Sequence, residues 1–338
     1  MKVSTKKVLV GSGILAAAST AVVGAVKAIR CFQANTLVKV AVDRNGPKVM
    51  DKAQANLSGS VGDAQAEEQL NAAAEKLRGR DLETVEIDSY DGEKLVGHWW
   101  PCEEPKRIVI AMHGWRSSWA RDFGTIADFW HDQHCNVLFA EQRGQGNSGG
   151  AYMGFGMMER LDCMEWIRWV NEHGGKELPI YLGGVSMGAA TVLMTAGLDL
   201  PPNVHGIVAD SGYTAPQAIW KHVMEKNLHI SYNTHRSNID TECKRKINMR
   251  ADECSCTEAM QKCRVPVLFI HGTDDHFVPI EMTYENYKAC AAPKRLFIVP
   301  GAEHCMSYSV DREGYEKALK EFWNDFDAWR SENSEEKE

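Results

Sequence analysis

Residues 179–190, with the sequence PIYLGGVSMGAA, place one hydroxyl group between a short apolar run and a segment rich in small residues. The run IYL is typical of a buried strand, and the alanine-rich stretch after the glycines is typical of a helix. The frame Gly184–Gly188 reads G-x-S-x-G, in which the glycines allow a sharp turn that leaves the serine side chain exposed. An ordinary glycine-rich turn with a solvated serine fits the same pentapeptide. The stretch therefore predicts a strand, a turn and a helix, with Ser186 as a candidate nucleophile.

Short apolar runs alternate with helix-length segments along most of the chain. A hairpin that turns at Asp91-Gly92 precedes six expected strands, at 108–112, 135–140, 180–182, 204–209, 265–270 and 296–299. Helices are expected at 123–134, 157–173, from 188, at 281–291 and at 311–329. Such an alternation predicts a mostly parallel sheet covered by helices on both faces. The insertion at 213–262 is expected to form a small lid over the carboxyl ends of the strands.

The composition divides the chain into four parts. Residues 1–30 are expected to be an N-terminal membrane anchor or signal segment, and residues 31–80 a stalk or packing arm without chemistry of its own. Residues 81–332 hold the strands, helices and lid, and residues 333–338 are a polar tail.

The N-terminal segment has nineteen consecutive uncharged residues, Val8 to Val26, preceded by lysines at positions 2, 6 and 7. Such a run fits a weak membrane-spanning helix or a secretory signal. The basic start and the lack of a clean cleavage site favour a retained single span, with the folded domain on the outer face of the membrane. A secreted protein is the alternative.

Charge and cysteine spacing exclude several classes of partner. The 338 residues carry a net charge of −8 without a basic stripe, so no nucleic-acid partner is expected. The ten cysteines are irregularly spaced and include no C-x-x-C pair with a second pair or histidines, so no metal site is expected. Free thiols are favoured over a disulfide framework, with one bridge within 243–263 as the alternative.

A serine hydroxyl becomes an effective nucleophile only when an oriented base removes its proton. His304 follows the last expected strand and is the candidate base, while Asp275, which follows the strand before it, is one candidate for the acid. Asp274 competes for the acid role, and Asp210 is a weaker choice. These residues should meet because parallel strands all end at one edge of the sheet.

An oxyanion on the substrate carbonyl would need two backbone donors. The N–H of Met187 is the first candidate, and that of Trp115, within the sequence HGWR at 113–116, is the second. His113 is expected to tie this loop down rather than act as a base. Trp115 and Trp220 are the better candidates among the tryptophans for walls of a substrate pocket.

Four motifs carry a resemblance to a known family: HGW at 113–115, GVSMG at 184–188, HGTDDHFVP at 271–279 and GAEH at 301–304. From about residue 88 to 329 the chain resembles a serine hydrolase of the α/β-hydrolase fold. It is most similar to bacterial, N-terminally anchored or cytosolic short-lid hydrolases near the cinnamoyl-esterase and acylaminoacyl-peptidase-like branches. The segment EQRGQGNSG at 141–149 resembles the family string D-x-R-G-x-G-x-S-x-G, with Glu141 where aspartate is usual.

The resemblance implies the fold, the assignment of the acid to Asp275 and a reaction class. Ser186 would cleave a small-molecule acyl ester through an acyl-enzyme, without a metal or organic cofactor. A thioesterase, an acyl-aminoacyl or peptide hydrolase and an acyltransferase would use the same three residues. A membrane-tethered binding module that has lost activity is the alternative from a different class.

Overall fold

The computed structural model describes residues 25–46, 64–175 and 177–328, and in this part eight strands form one sheet in the order β1-β2-β4-β3-β5-β6-β7-β8. The strands are β1 (Glu83–Asp88), β2 (Lys94–Trp100), β3 (Arg107–Met112), β4 (Cys135–Ala140), β5 (Ile180–Val185), β6 (Val204–Asp210), β7 (Val267–Gly272) and β8 (Lys294–Val299). The hairpin β1–β2 pairs antiparallel with itself and with β4, and the other neighbours are parallel. The predicted α/β fold with a mostly parallel sheet is confirmed.

Helices cover both faces of this sheet. They are α1 (25–42), α2 (Ala64–Arg78), α3 (Trp119–Phe123), α4 (Ala127–Asp132), α5 (Glu159–His173), α6 (Met187–Thr195), α7 (Pro216–His222), α8 (Tyr232–Ile247), α9 (Cys256–Lys262), α10 (Ile280–Ala289), α11 (Ser307–Val310) and α12 (Arg312–Phe326). A single π-helical turn, Val223–Asn227, continues α7. Consecutive strand residues point to opposite faces, so Trp99 and Trp100 of β2 enter two different core clusters.

Two predicted helices differ from the structure in their bounds. The helix expected at 123–134 is shorter, because only α4 lies within it and α3 ends at Phe123; between the two, α2 crosses so closely at Gly124 that a Cβ there would lie 2.7 Å from the backbone of Ala73. The helix expected at 311–329 is the uninterrupted helix α12, which ends at Phe326; Asp311 precedes it, and its carboxylate accepts a hydrogen bond from the N–H of Gly314 at 2.9 Å and caps the helix.

The insertion after β6 is helical, and only part of it overhangs the sheet edge. Helices α7 and α8, with the π turn, form the overhanging part. Helix α9 packs instead on the body of the domain, where the thiol of Cys256 lies 3.5 Å from the carbonyl of Ala190 in α6. We use the term lid below for residues 216–247.

The segment predicted to be a stalk or packing arm packs on the domain wherever the structure describes it. Ala34, Val38 and Val42, spaced four residues apart along α1, are at most 1 % exposed. Glu67 of α2 forms an ion pair at 2.7 Å with Arg121 of α3. The apolar run predicted to anchor the chain lies outside the described residues except for its last two positions. Among the helices that the structure describes, none has the length and apolar character needed to cross a membrane.

All ten cysteines fall within the described residues, and all ten are free thiols. The preference for free thiols over a disulfide framework agrees with this, and the alternative of a bridge within 243–263 is wrong. Cys243, Cys254, Cys256 and Cys263 are each buried among apolar side chains of the larger core cluster. They therefore act as small core residues.

Arg143, in the loop after β4, is a charged residue buried in the core. Its side chain is 1 % exposed and donates to Asp162 at 2.6 Å and to Asp91 at 2.8 Å. The bonds join the loop to α5 and to the β1–β2 turn. Removal of one partner from a buried ion pair lowers the stability strongly, because the other charge then stays buried without a counter-charge.

Replacement of Arg143 by methionine should therefore lower the free energy of unfolding by about 3–5 kcal/mol. The matched control is Arg245→Met, which removes an exposed guanidinium paired with Glu242 three residues earlier and should leave stability nearly unchanged. Urea unfolding followed by tryptophan fluorescence measures both. Equal free energies of unfolding for the two variants would show that the Arg143 ion pairs do not make this contribution to stability.

Candidate active site

Ser186 sits at the turn between β5 and α6 in a strained conformation. Its φ of 53° and ψ of −117° are unusual for a residue with a side chain. The turn requires glycine on either side: a Cβ on Gly184 would collide with the backbone of Gly188, and a Cβ on Gly188 would collide with the carbonyl of Met112 in β3. The close packing of α6 on β3 and β5 thus holds the hydroxyl above the sheet edge.

The loops after β7 and β8 bring a carboxylate and an imidazole to this hydroxyl. His304 Nε2 lies 2.9 Å from Ser186 Oγ, and His304 Nδ1 lies 2.6 Å from Asp275 Oδ2. The three side chains form one continuous hydrogen-bonded chain. The competing Asp274 is exposed and accepts from the hydroxyl of Thr273 at 2.8 Å. Asp210 accepts instead from Ser211 and Ser307.

Asp275 is buried, and its carboxylate is fully used. Oδ1 accepts from the N–H groups of Phe277 at 2.9 Å and Val278 at 2.8 Å. Oδ2 lies 3.1 Å from Nε2 of His271 as well as against His304. These bonds fix the carboxylate in the direction of the His304 ring, as a positioned acid requires.

The charges of His304 and Asp275 shift each other's pKa. Burial alone would lower the pKa of His304, but the Asp275 carboxylate raises that pKa well above the ordinary histidine value of about 6.5. Burial alone would raise the pKa of Asp275, but the facing imidazoles of His304 and His271 hold it well below its usual range. The pair therefore favours an ionised aspartate that holds and orients the imidazole.

The loop after β3 lies on the other side of Ser186. Its Gly114 N–H is taken by Asp122 Oδ2 at 2.6 Å, which leaves the next residue, Trp115, as the candidate donor toward the serine. Met187 begins α6, so its N–H has no acceptor within the helix. His113 has the structural place expected for it, with Nε2 accepting from the N–H of Gln142 at 3.1 Å.

Two adjoining hollows meet at Trp115 and Phe277. A cleft of about 150 Å³ contains Ser186 and His304, and a cavity of about 400 Å³ lies beyond it. The predicted pocket residues Trp115 and Trp220 both line the larger cavity. Its remaining walls are Thr36, Leu37, Val38, Val40, Ala41, Phe155, Met187, Tyr213, Ile219, Val223, Met224, Leu228, Ile239 and Phe277.

Three supporting residues escaped the sequence-based predictions. His271 contacts Asp275, Asp122 orders the loop that carries Trp115, and Phe277 meets the His304 ring edge to face at a centroid distance of 5.1 Å. His271 and Phe277 lie inside the motif at 271–279, which was a usable signal. Nothing in the sequence linked Asp122 to Gly114, because the contact depends on how α3 packs.

Comparison with known proteins agrees with this architecture. The family model Hydrolase_4, described as serine aminopeptidase S33, matches residues 103–253. The protein YqkD of Bacillus subtilis is 30% identical over 241 residues, which cover 70% of this chain and 77% of that protein. This chain belongs to the α/β-hydrolase family.

Solved structures share the fold of this α/β-hydrolase. The Pyrococcus furiosus esterase Pf2001 superimposes with a TM-score of 0.61 at 23% identity, covering 75% of this chain and 94% of that one. Est1E from Butyrivibrio proteoclasticus, solved with bound ferulic acid, gives a TM-score of 0.52 at 18% identity, with 72% and 98% covered. At these identities the likeness concerns the fold.

Replacement of Asp275 by asparagine in this α/β-hydrolase should lower the pKa of His304, because the carboxylate charge that opposes the effect of burial is removed. Titration of the imidazole by ¹H–¹⁵N NMR measures the shift. Asp274→Asn is the matched control, since this neighbouring carboxylate bonds to Thr273 rather than to His304. A His304 pKa equal in the two variants would contradict the assignment.

Proposed function

We propose that this protein is a serine hydrolase that cleaves carboxylic esters through an acyl-enzyme on Ser186. The observation that carries the proposal is the unbroken chain from Asp275 through His304 to Ser186, with distances of 2.6 and 2.9 Å. Such geometry allows the imidazole to take the hydroxyl proton while the carboxylate stabilises the imidazolium that forms. The strained turn and the buried, fully bonded Asp275 support the same assignment.

In the first half of the reaction Ser186 Oγ attacks the ester carbonyl carbon while His304 Nε2 takes the hydroxyl proton. The N–H groups of Met187 and Trp115 would stabilise the resulting oxyanion. The imidazolium then returns the proton to the oxygen of the leaving alcohol as the carbonyl–oxygen bond breaks. In the second half, water loses a proton to His304 and attacks the acyl carbon, and the imidazolium then returns the proton to Ser186 Oγ as the bond between that oxygen and the acyl carbon breaks and the carboxylic acid is released.

The larger cavity favours an ester with an apolar acyl group. Among the described residues that line it there is no Asp, Glu, Lys, Arg or His. An aminopeptidase must hold a substrate ammonium group, and a charge without a partner is costly to bury. The description of the matching family model supports the peptide-hydrolase alternative, but this cavity provides no carboxylate for that role. Thioester cleavage and acyl transfer use the same triad and are the remaining alternatives.

The test is hydrolysis of p-nitrophenyl esters from acetate to palmitate by the full chain, beside acyl-CoA thioesters and aminoacyl p-nitroanilides. Turnover of esters well above that of the anilides is expected. Faster cleavage of the thioesters or the anilides would transfer the proposal to that substrate class. An ester product formed when an alcohol is added would indicate acyl transfer.

Ser186→Ala should lower kcat for the preferred ester by about 10⁶-fold and abolish labelling by a fluorophosphonate, because no other group supplies the nucleophile. Ser309→Ala, at an exposed serine of α11, is the control and should retain both properties. Labelling that persists in Ser186→Ala would exclude this serine as the nucleophile.

The rate should also depend on pH through His304. The base must be neutral to accept a proton, so kcat/KM should fall as pH decreases through the pKa of His304. Because Asp275 raises this pKa, the half-maximal point should lie above the ordinary histidine value of about 6.5. A pH–rate profile of the ester reaction measures it, and a rate that stays flat down to about pH 4, well below that ordinary value, would exclude His304 as the base.

A further inference from the structure

Helix α1 forms one wall of the larger cavity. Leu37 and Ala41, one turn apart, lie on the face of α1 that lines it, together with Thr36, Val38 and Val40. The facing wall comes from the lid, and Trp115 and Phe277 separate the cavity from the cleft that holds Ser186. This wall lies before residue 103, where the match to the family model begins.

Polar contacts tie α1 to both sides of the cavity. Toward the lid, Gln33 bonds to His235 at 2.9 Å, and Asp43, just beyond the helix, pairs with Lys246 at 2.6 Å. Lys246 is 7 % exposed at its side chain, so this pair is largely shielded from water. These contacts fix the helix to the lid that faces it across the cavity.

The carboxyl end of α1 is tied to the loop after β3. The guanidinium of Arg116 donates to the carbonyls of Val40 at 2.8 Å and Asp43 at 2.6 Å. Trp115 donates from its indole nitrogen to the carbonyl of Ala41 at 2.8 Å. A cation at the end of a helix also interacts favourably with the helix dipole. The wall is thus held in register with the residue proposed as an oxyanion donor.

We propose that α1 is the acyl-specificity element of this enzyme, and that Leu37 limits the length of an uncharged hydrocarbon acyl chain bound between α1 and the lid. The inference rests on the proposed ester hydrolysis at Ser186. Leu37 is half-buried and packs against the apolar core, so its side chain occupies space that a longer chain would need. The cavity volume of about 400 Å³ is within the range of small-molecule sites, about 300–1,000 Å³.

Opposite substitutions at one position test the proposal in the full chain with the p-nitrophenyl ester series. Leu37→Trp should move the preferred acyl chain to shorter lengths and lower kcat/KM for the longer esters by about 10- to 200-fold. Leu37→Ala should move the preference to longer chains. The effect in either variant should grow with chain length and be smallest for acetate, whose acyl group is the shortest of the series. Lys39→Trp, at an exposed position of the same helix that does not line the cavity, is the matched control.

The pattern across the series separates specificity from a structural role. A merely structural defect would lower turnover of all esters equally, and such a uniform loss in both Leu37 variants would overturn the proposal. So would an unchanged chain-length profile in both. Ala41→Phe gives a second narrowing variant if Leu37→Trp does not fold, with the same expected shift.

A binding measurement distinguishes this inference from the proposed function. In the Ser186→Ala background, free fatty acids of graded length are titrated and followed by tryptophan fluorescence and thermal shift. Leu37→Trp should weaken binding of the longer acids selectively. If esters are hydrolysed but the Leu37 variants change neither the chain-length profile of turnover nor that of fatty-acid binding, only the role of α1 is overturned. If binding of the fatty acids depends on their length and on Leu37, but the protein with Ser186 intact does not hydrolyse esters, the ester-hydrolase proposal is overturned and the assignment of the acyl-binding site stands.

Discussion

Parallel pairing of five neighbouring strands is the constraint on which the site depends. Because β3, β5, β6, β7 and β8 run in the same direction, their carboxyl ends share one edge of the sheet. Ser186, Asp275 and His304 each follow one of these ends. Residues more than a hundred positions apart can then meet through short loops, and the remaining precision comes from the tight turn at Ser186, which only small neighbours permit.

Asp275 and Arg143 are buried charged residues for which the fold supplies hydrogen-bonding or oppositely charged partners. Asp275 is buried but accepts hydrogen bonds from two backbone N–H groups and faces two imidazoles, so its ionised form is stable away from water. Arg143 illustrates the same rule in a structural role, with two carboxylates around a side chain that is 1 % exposed. In both places a buried charge is tolerated because its partners are positioned by separate elements of the fold.

Apolar surface determines what the site can take. The walls of the cavity beside Ser186 come from segments that are distant in sequence, among them α1, the loop after β3 and the lid. None of these alone forms a pocket. Joined by the contacts of Trp115, Arg116, His235 and Lys246, they enclose an apolar space next to a polar cleft, an arrangement suited to a substrate with one hydrocarbon end.

The order of strands and helices could be predicted from sequence because burial on both faces produces continuous apolar runs at 108–112, 137–140 and 267–270. The motif around Ser186 and the loops holding Asp275 and His304 were recognisable for the same local reason: turn geometry demands particular residues. The choice between Asp274 and Asp275 was made from family resemblance, and only the hydrogen bonds of the folded chain distinguish their surroundings. Local sequence could not show that α1 would become a wall of the cavity, or that Asp122 would hold Gly114. Those contacts join segments whose spacing along the chain carries no periodic signal, so their packing is decided by the tertiary structure alone.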